Sequence, residues 1–202
     1  MSAFLVDRDS PGFNVLRRIP MLGGQFTYEV ALENCRVPAA NLLGEQGMGF
    51  IYAMQSLDAG RLGISAQAVG IAQAALTHAA AYAADRRQFG KPIKEFQAIQ
   101  FLLADMAVRV AASRALLHAA ATARDRGQQI TQFSAMAKLQ ASETAMWVTT
   151  QAIQIFGGYG YVKDYPVERL FRDAKATEIY EGTSEVQRIV IARELYSQGD
   201  GD

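Results

Sequence analysis

The pattern of hydrophobic and polar positions changes character near Gly49. Before this point, apolar residues alternate with polar or small ones at Phe26, Tyr28, Val30 and Leu32. Alternation with a period of two predicts β structure, and turn residues divide the first 37 positions into three short strands. Three short strands do not form a stable sheet alone, so we expect this segment to pack against further structure.

Beyond Gly49 the apolar residues recur at alternating steps of four and three, which is typical of a long helix in a bundle. In the first helix they are Phe50, Met54, Leu57, Arg61, Ile64, Ala68, Ile71, Ala75, His78 and Tyr82. In the second they are Phe96, Ile99, Leu103, Met106, Val110 and Leu117, and in the third Leu139, Ser142, Met146, Ile153 and Phe156. Two shorter helices are predicted, one beginning at Pro166 and one running from about Glu185 to Tyr196.

Long helices joined by short loops predict a mainly α fold, an antiparallel four-helix bundle. We expect the bundle to occupy residues 46–202 and a short β segment with a linker to occupy residues 1–45.

Composition narrows the possible partners. The 202 residues include 20 basic and 20 acidic side chains, and this balance argues against nucleic acid or an anionic membrane surface as the main partner. No apolar run is long enough to span a bilayer, and the N-terminus lacks the features of a signal peptide. Cys35 is the single cysteine, which rules out an internal disulfide and fits a reducing compartment such as the cytoplasm.

Two common chemistries of helical proteins are missing from the sequence. There is no Glu-x-x-His pair, and His78 and His118 are isolated, so we predict no metal site. The glycines of the segment Gly157-Gly158-Tyr159-Gly160 do not follow a predicted strand, which argues against a Rossmann-type nucleotide site.

The clearest chemical signal lies near the C-terminus, in the segment Ile-Tyr-Glu-Gly-Thr-Ser-Glu at residues 179–185. Glu181 stands between an aromatic residue and Gly182, in a turn that Thr183 and Ser184 convert into a helix start. Glycine allows a ligand to approach the backbone closely, and a helix start offers hydrogen-bond donors. Glu181 is therefore predicted to be a carboxylate at the edge of a binding site, as a general base would be.

Three further features have both a structural and a functional interpretation. Arg61 lies on the apolar side of the first helix, where its partner is either Asp58 or an anionic ligand, and the sequence leaves both open. Arg86, at the end of that helix, either balances the helix dipole or offers donors to a ligand. The segment at residues 154–158 either caps the third helix or forms part of a binding site.

Longer motifs follow one another in a fixed order, and together they are specific. They are Glu33-Asn34-Cys35-Arg36-Val37-Pro38, Asn41-Leu42-Leu43-Gly44-Glu45, Leu57-Asp58-Ala59-Gly60-Arg61, Arg86-Arg87-Gln88-Phe89-Gly90-Lys91-Pro92, Phe96-Gln97, Gln154-Ile155-Phe156-Gly157-Gly158-Tyr159-Gly160-Tyr161, Tyr165-Pro166-Val167-Glu168-Arg169, Arg172-Asp173-Ala174 and residues 179–185. Over nearly the whole chain, this order resembles the C-terminal half of an acyl-CoA dehydrogenase.

The resemblance implies FAD-dependent oxidation of an acyl-CoA thioester to its trans-2-enoyl form. It places the base that removes the α-proton at Glu181, while hydride leaves the β-carbon for the flavin. Some relatives carry the base just before the arginine that matches Arg61. Gly60 stands at that position here, so Glu181 is the candidate.

The resemblance also assigns binding residues. Those matching flavin contacts are Arg86, Gln88, Gln97, Gln154, Ile155, Phe156, Gly157, Gly158, Thr183, Ser184 and Glu185. Those matching the acyl-CoA site are Asp58, Gly60, Arg61, Tyr180 and Gly182. Several of these flavin contacts reach the FAD of a neighbouring subunit in the family, which implies a homo-oligomer, either a dimer or a tetramer. Electron-transfer flavoprotein or a similar acceptor is the implied redox partner, in the cytoplasm or, in a eukaryote, the mitochondrial matrix.

Members of the family carry an N-terminal helical domain and a complete middle β-domain before the bundle, whereas this chain begins inside the β-domain. We therefore expect a fragment, one piece of a split enzyme that needs a partner chain, or a decayed paralogue. One alternative function is a non-catalytic subunit that only oligomerises or pairs with a complete dehydrogenase. Another, within the same fold, is a relative of acyl-CoA oxidases or flavin monooxygenases.

Overall fold

The computed structural model describes residues 1–197 and divides into two compact units, Met1–Leu57 and a second unit that begins at Asp58. Within the described residues there are five α-helices. They are α1 (Gly49–Asp85), α2 (Gln97–Asp125), α3 (Thr131–Phe156), α4 (Pro166–Thr177) and α5 (Ser184–Ser197). The mainly α fold class is confirmed, and α1 begins at the glycine where the hydrophobic pattern changes.

The first unit contains the predicted β structure. Strands β2 (Phe13–Pro20) and β3 (Phe26–Leu32) form an antiparallel hairpin, and the short strands β1 (Ala3–Phe4) and β4 (Leu42–Leu43) pair with each other. The apolar residues on one face of β3 are 44–60% exposed. The hairpin of this chain therefore has no hydrophobic core of its own, which agrees with the expectation that it needs further structure.

The buried face of α1 is rotated relative to the predicted one. Arg61, Ala68 and Ala75 are buried as expected, but so are Ser65, Leu62, Val69, Ala72, Ala79 and Ala83. His78 is exposed, and so are Phe50 and Met54. The alanines explain this difference, because small side chains let helices pack closely, whereas the spacing of large apolar residues does not show which of the many alanines are buried.

Helix α3 is at the centre of the second unit, with buried residues along its entire length. Its alanines and Val148 join Met106 and Val110 of α2 and the alanines of α1 in one core. At the end of α3, the ring of Phe156 stacks on Tyr82 at a centroid distance of 4.1 Å. This contact fixes the last turn of α3 beside the last turn of α1.

The connections place the remaining chemical groups. After α1 a two-stranded hairpin, β5 (Arg87–Gln88) and β6 (Lys91–Pro92), turns through Phe89 and Gly90, both of which have positive φ. The sequence predicted only a helix end at this position. The chain leaves α3 through Gly157 and a 3₁₀ segment (Gly157–Tyr161), and α4 begins at the predicted proline.

Candidate active site

The segment between α4 and α5 forms a tight turn that carries Glu181. The amide of Ser184 donates to the carbonyl of Glu178 at 3.1 Å, which closes the turn. The hydroxyl of Thr183 accepts from the amide of Val186 at 3.4 Å, so Thr183 caps α5 as the sequence predicted. The hydroxyl of Ser184 is buried and has no hydrogen-bond partner among the described residues.

Two consecutive residues of this turn have left-handed backbone conformations. Glu181 has φ +56° and Gly182 has φ +91°. For a residue with a side chain this conformation is strained and is kept only where the surroundings impose it. A side chain at Gly182 would be strained in the same way, and its Cβ would lie 2.7 Å from Nε2 of Gln187. Glycine is therefore required at position 182.

The carboxylate of Glu181 lies against the backbone of α1 at Gly60. A Cβ at position 60 would come within 2.6 Å of Oε2 and 2.9 Å of Oε1 of Glu181. The Oε2 atom is buried and has no hydrogen-bond partner in the described part of the chain. A buried carboxylate oxygen without a donor is unusual in a folded protein, and it leaves a basic atom free to accept a proton from a ligand.

Arg61, next to that glycine, is only 6% exposed and is paired within the chain. Its Nη1 donates to Oδ1 of Asp58 at 2.7 Å, and the hydroxyl of Thr131 donates to Oδ2 of Asp58 at 2.9 Å. Of the two partners left open by the sequence, Asp58 is the one observed. The Nε of Arg61 remains buried without a partner among the described residues, so part of its hydrogen-bonding capacity is still available.

Tyr180 links the turn to α1. Its hydroxyl donates to Oε1 of Gln67 at 2.7 Å. Burial raises the pKa of Tyr180 above its usual value, and the hydrogen bond to Gln67 only partly opposes this. The phenol therefore stays neutral and keeps its hydrogen bond at neutral pH.

A second cluster lies at the other end of α3, around a cavity of about 480 Å³. The lining residues are Tyr82, Arg86, Gln88, Ile93, Ile155, Phe156, Gly157, Gly158, Tyr159 and Val162. The guanidinium of Arg86 lies 5.6 Å from the ring centre of Tyr159. The fold thus brings two of the predicted flavin contacts, Arg86 and Gln88, together with four of the five predicted at the end of α3, residues 155–158.

The remaining predicted flavin residues lie elsewhere. Gln154 lines a separate cavity, Gln97 is exposed at the first position of α2, and Glu185 is exposed in the first turn of α5. The Glu181 turn contacts Lys138, which precedes Phe156 by 18 residues on α3. At about 1.5 Å per residue this separates the two clusters by roughly 27 Å along one helix.

Several residues at these sites were not predicted from the sequence. Lys138 and Gln187 donate hydrogen bonds to the carbonyls of the turn. Thr131 donates to Asp58, and Gln67 accepts from Tyr180. The ring of Tyr159 faces Arg86. A lysine inside an otherwise apolar stretch of α3 is the one signal that could have been noticed, since such a lysine needs a partner.

Comparison with known proteins identifies the class to which this fold and site belong. Residues 47–196 match the sequence model described as "Acyl-CoA dehydrogenase, C-terminal domain". The chain is 54% identical to an acryloyl-CoA reductase (NADH) of Anaerotignum propionicum over 96% of this chain and 50% of that protein. It is 52% identical to an acyl-CoA dehydrogenase of Bacillus subtilis over 96% of this chain and 52% of that protein.

A solved structure agrees with the sequence comparisons. Butyryl-CoA dehydrogenase from Megasphaera elsdenii superimposes with a TM-score of 0.95 at 48% identity, covering 96% of this chain and 51% of that one. The chain belongs to the acyl-CoA dehydrogenase family, and it spans about half the length of the curated relatives that it matches. Among the described residues, no helix is both long enough and apolar enough to cross a membrane.

Proposed function

We propose that this chain supplies the base for FAD-dependent α,β-dehydrogenation of an acyl-CoA thioester to its trans-2-enoyl form. The observation that carries the proposal is the Glu181 carboxylate, which is held on a strained turn and has a buried Oε2 that receives no hydrogen bond from residues 1–197. The two clusters at the ends of α3 fit two binding functions, a thioester at one end and part of a dinucleotide cofactor at the other.

Glu181 would remove the proton from the α-carbon. The electron pair of the broken C–H bond then forms the α,β double bond as hydride leaves the β-carbon. The proton remains on the Glu181 carboxylate, so charge and electrons balance. The backbone of the turn, from Tyr180 to Gly182, would orient the thioester, and the partly buried pair of Asp58 and Arg61 would keep the wall of the site rigid.

FAD, when bound, supplies the acceptor for the hydride. The cavity at the end of α1 fits a flat, partly charged group, since it combines Arg86 with aromatic rings and the two adjoining glycines of the α3 terminus. Arg86, Gln88 and residues 155–158 would hold the cofactor there, and Gln97 and Gln154 would contact it from outside this cavity. Thr183, Ser184 and Glu185 would contact a cofactor at the other end of α3.

The separation of roughly 27 Å between the clusters supports a homo-oligomer. Each chain would serve one FAD with its Glu181 turn and a second FAD with the cavity at Arg86, so that two chains share two cofactors. Electron-transfer flavoprotein or a similar carrier would then reoxidise the flavin, and the reaction would take place in the cytoplasm or the mitochondrial matrix.

The test is to co-express this chain with the N-terminal half of the Bacillus subtilis relative and assay acyl-CoA-dependent reduction of a dye. We expect a yellow, active complex in which Glu181→Gln lowers the rate by at least about 10³-fold, because an amide cannot accept the proton. Asp105→Asn, at an exposed position of α2, is the matched control and should leave the rate unchanged. A Glu181→Gln complex with full activity would overturn the proposal.

Two other results would redirect the assignment. A complex that binds flavin but reduces no dye with any acyl-CoA would indicate the non-catalytic subunit. Oxygen consumption without dye reduction would indicate an oxidase or monooxygenase relative. Since one relative is named as a reductase, the assay should also follow enoyl-CoA reduction, in which a protonated Glu181 would return the proton to the α-carbon.

A further inference from the structure

Lys138 is the most unusual charged residue in the second unit. It lies on α3 with none of its surface exposed, although lysine is almost never fully buried unless it is paired. Within the described residues, no carboxylate lies within 4.0 Å of its ammonium nitrogen. Instead, Nζ donates to the backbone carbonyl of Gly182 at 2.7 Å. A cation in such a place must be held there by the fold, because burying it is unfavourable.

The carbonyl that Lys138 contacts belongs to the strained turn. Nε2 of Gln187 also donates to the carbonyl of Gly182, at 2.9 Å, and to that of Glu181, at 3.1 Å. Two side chains thus fix the peptide units on both sides of Gly182. A left-handed Glu181 does not hold its conformation by itself, so these bonds from α3 and α5 set its backbone geometry.

We propose that Lys138 is a positioning residue for Glu181: its ammonium anchors the Gly182 carbonyl and so sets where the Glu181 carboxylate lies against Gly60. This inference rests on the proposed role of Glu181 as the base. Lys138 does not reach the carboxylate through a direct hydrogen bond, so it acts through the backbone of the turn.

The charged groups that act on Lys138 lie on α1, after α4, in the turn and at the start of α5. Burial lowers the pKa of Lys138 to about 8, and the positive charge of Arg61 on α1 lowers it further. The negative charges of Glu178, Glu185 and Glu181 act in the opposite direction and raise the pKa. The ammonium therefore loses its proton at moderately alkaline pH. A neutral amine donates a weaker hydrogen bond than an ammonium, so the anchor weakens over the same range.

Hydrogen exchange on the 202-residue chain tests the anchor without any activity. The amide of Ser184, bonded across the turn, reports on its closure. In Lys138→Met we expect exchange in the peptide covering residues 178–187 to rise about tenfold near pH 7, with α1 and α2 unchanged. The ratio of variant to wild-type exchange should fall toward one near pH 9, where wild-type Lys138 is itself neutral. Lys94→Met, at an exposed lysine, is the matched control.

Two outcomes would overturn the proposal: no change in the 178–187 peptide, or an equal rise over the whole chain with a lowered unfolding midpoint. If Lys138→Met does not fold, Lys138→Gln replaces it, and because its amide is a neutral donor it should give a smaller rise near pH 7, which also fades as wild-type Lys138 loses its proton. In the co-expressed complex, Lys138→Met should lower kcat more than it raises KM. An exchange effect in a complex that remains inactive with every acyl-CoA would retain the anchor and reject only the proposed reaction.

Discussion

The most direct test of where the Glu181 carboxylate lies is to add a single methyl group at Gly60. In Gly60→Ala the new Cβ would lie 2.6 Å from Oε2 of Glu181, whereas ordinary contact begins near 3.4 Å. The carboxylate must therefore move by about 0.8 Å, and a displacement of this size lowers catalytic efficiency by up to ~10²-fold. Because the backbone of the turn is fixed, the movement falls on the side chain of the base.

The same substitution should not destabilise the fold. Replacing glycine by alanine inside a helix adds about 1 kcal/mol to the free energy of unfolding. The clash with the far end of a flexible side chain offsets only part of that gain. Gly60→Ala should therefore lower kcat/KM in the co-expressed complex by about 10- to 100-fold while its urea unfolding midpoint stays the same or rises.

Gly63, one turn further along α1, provides the matched control. A Cβ at this position meets no atom of the described part of the chain within 4 Å, so Gly63→Ala should bring the same gain in stability with kcat/KM unchanged. Full activity in Gly60→Ala would refute the placement of the Glu181 carboxylate against α1. A loss of stability in Gly60→Ala together with the loss of activity would instead show that the clash disrupts packing in general.

Three further predictions follow from the same contacts. Asp58→Ala leaves the buried guanidinium of Arg61 without its partner and should lower the free energy of unfolding by about 3–5 kcal/mol, measured by urea titration. Glu143→Ala, at the exposed pair with Arg188, is the control and should lower the same free energy by at most about 1 kcal/mol. Gly182→Ala should lower the free energy of unfolding by about 1–3 kcal/mol, because alanine is strained in the left-handed conformation, and should abolish activity. A Gly182→Ala variant as stable and active as the wild type would contradict the geometry of the turn. Since the pKa of Lys138 is about 8 in the fold against 10.5 ordinarily, the protonated form is disfavoured in the native state. Global unfolding returns Lys138 to water, unlike a local opening of the turn, so stability relative to Lys138→Met should rise by up to about 3 kcal/mol between pH 8 and 10.5 and stay level below pH 8. A fall in stability over that range would exclude a depressed pKa.

The sequence predicted the helices well because glycine and proline residues mark several of their boundaries. The glycine at the start of α1, the proline at the start of α4 and the glycines after α3 all mark observed boundaries. It was less accurate about which side of α1 is buried. The packing of this bundle depends on alanines, and an alanine is compatible with either the buried or the exposed side until its neighbours are known.

The Glu181 turn shows what the sequence could and could not provide. A carboxylate before glycine and a helix cap is a local pattern, so the turn and the cap at Thr183 were predictable. Its anchors were not, because Lys138 precedes the turn by more than forty positions and meets it only through the fold. The proximity of Gly60 to the carboxylate was likewise unpredictable from spacing, since it depends on how α1 crosses the turn.

Among the residues that the structure describes, the arrangement around Glu181 combines features that each lower stability: a left-handed glutamate, a buried lysine without an ion pair, and buried polar atoms without partners on Glu181, Arg61 and Ser184. Elsewhere in the second unit the core is mainly alanine and valine, and its buried serine and threonine hydroxyls have hydrogen-bond partners. A fold that served only to oligomerise would gain stability by replacing any of the residues around Glu181 with an apolar one of similar size. Their concentration within one turn and the helices beside it is the physical reason to assign the chemistry of this chain to that place.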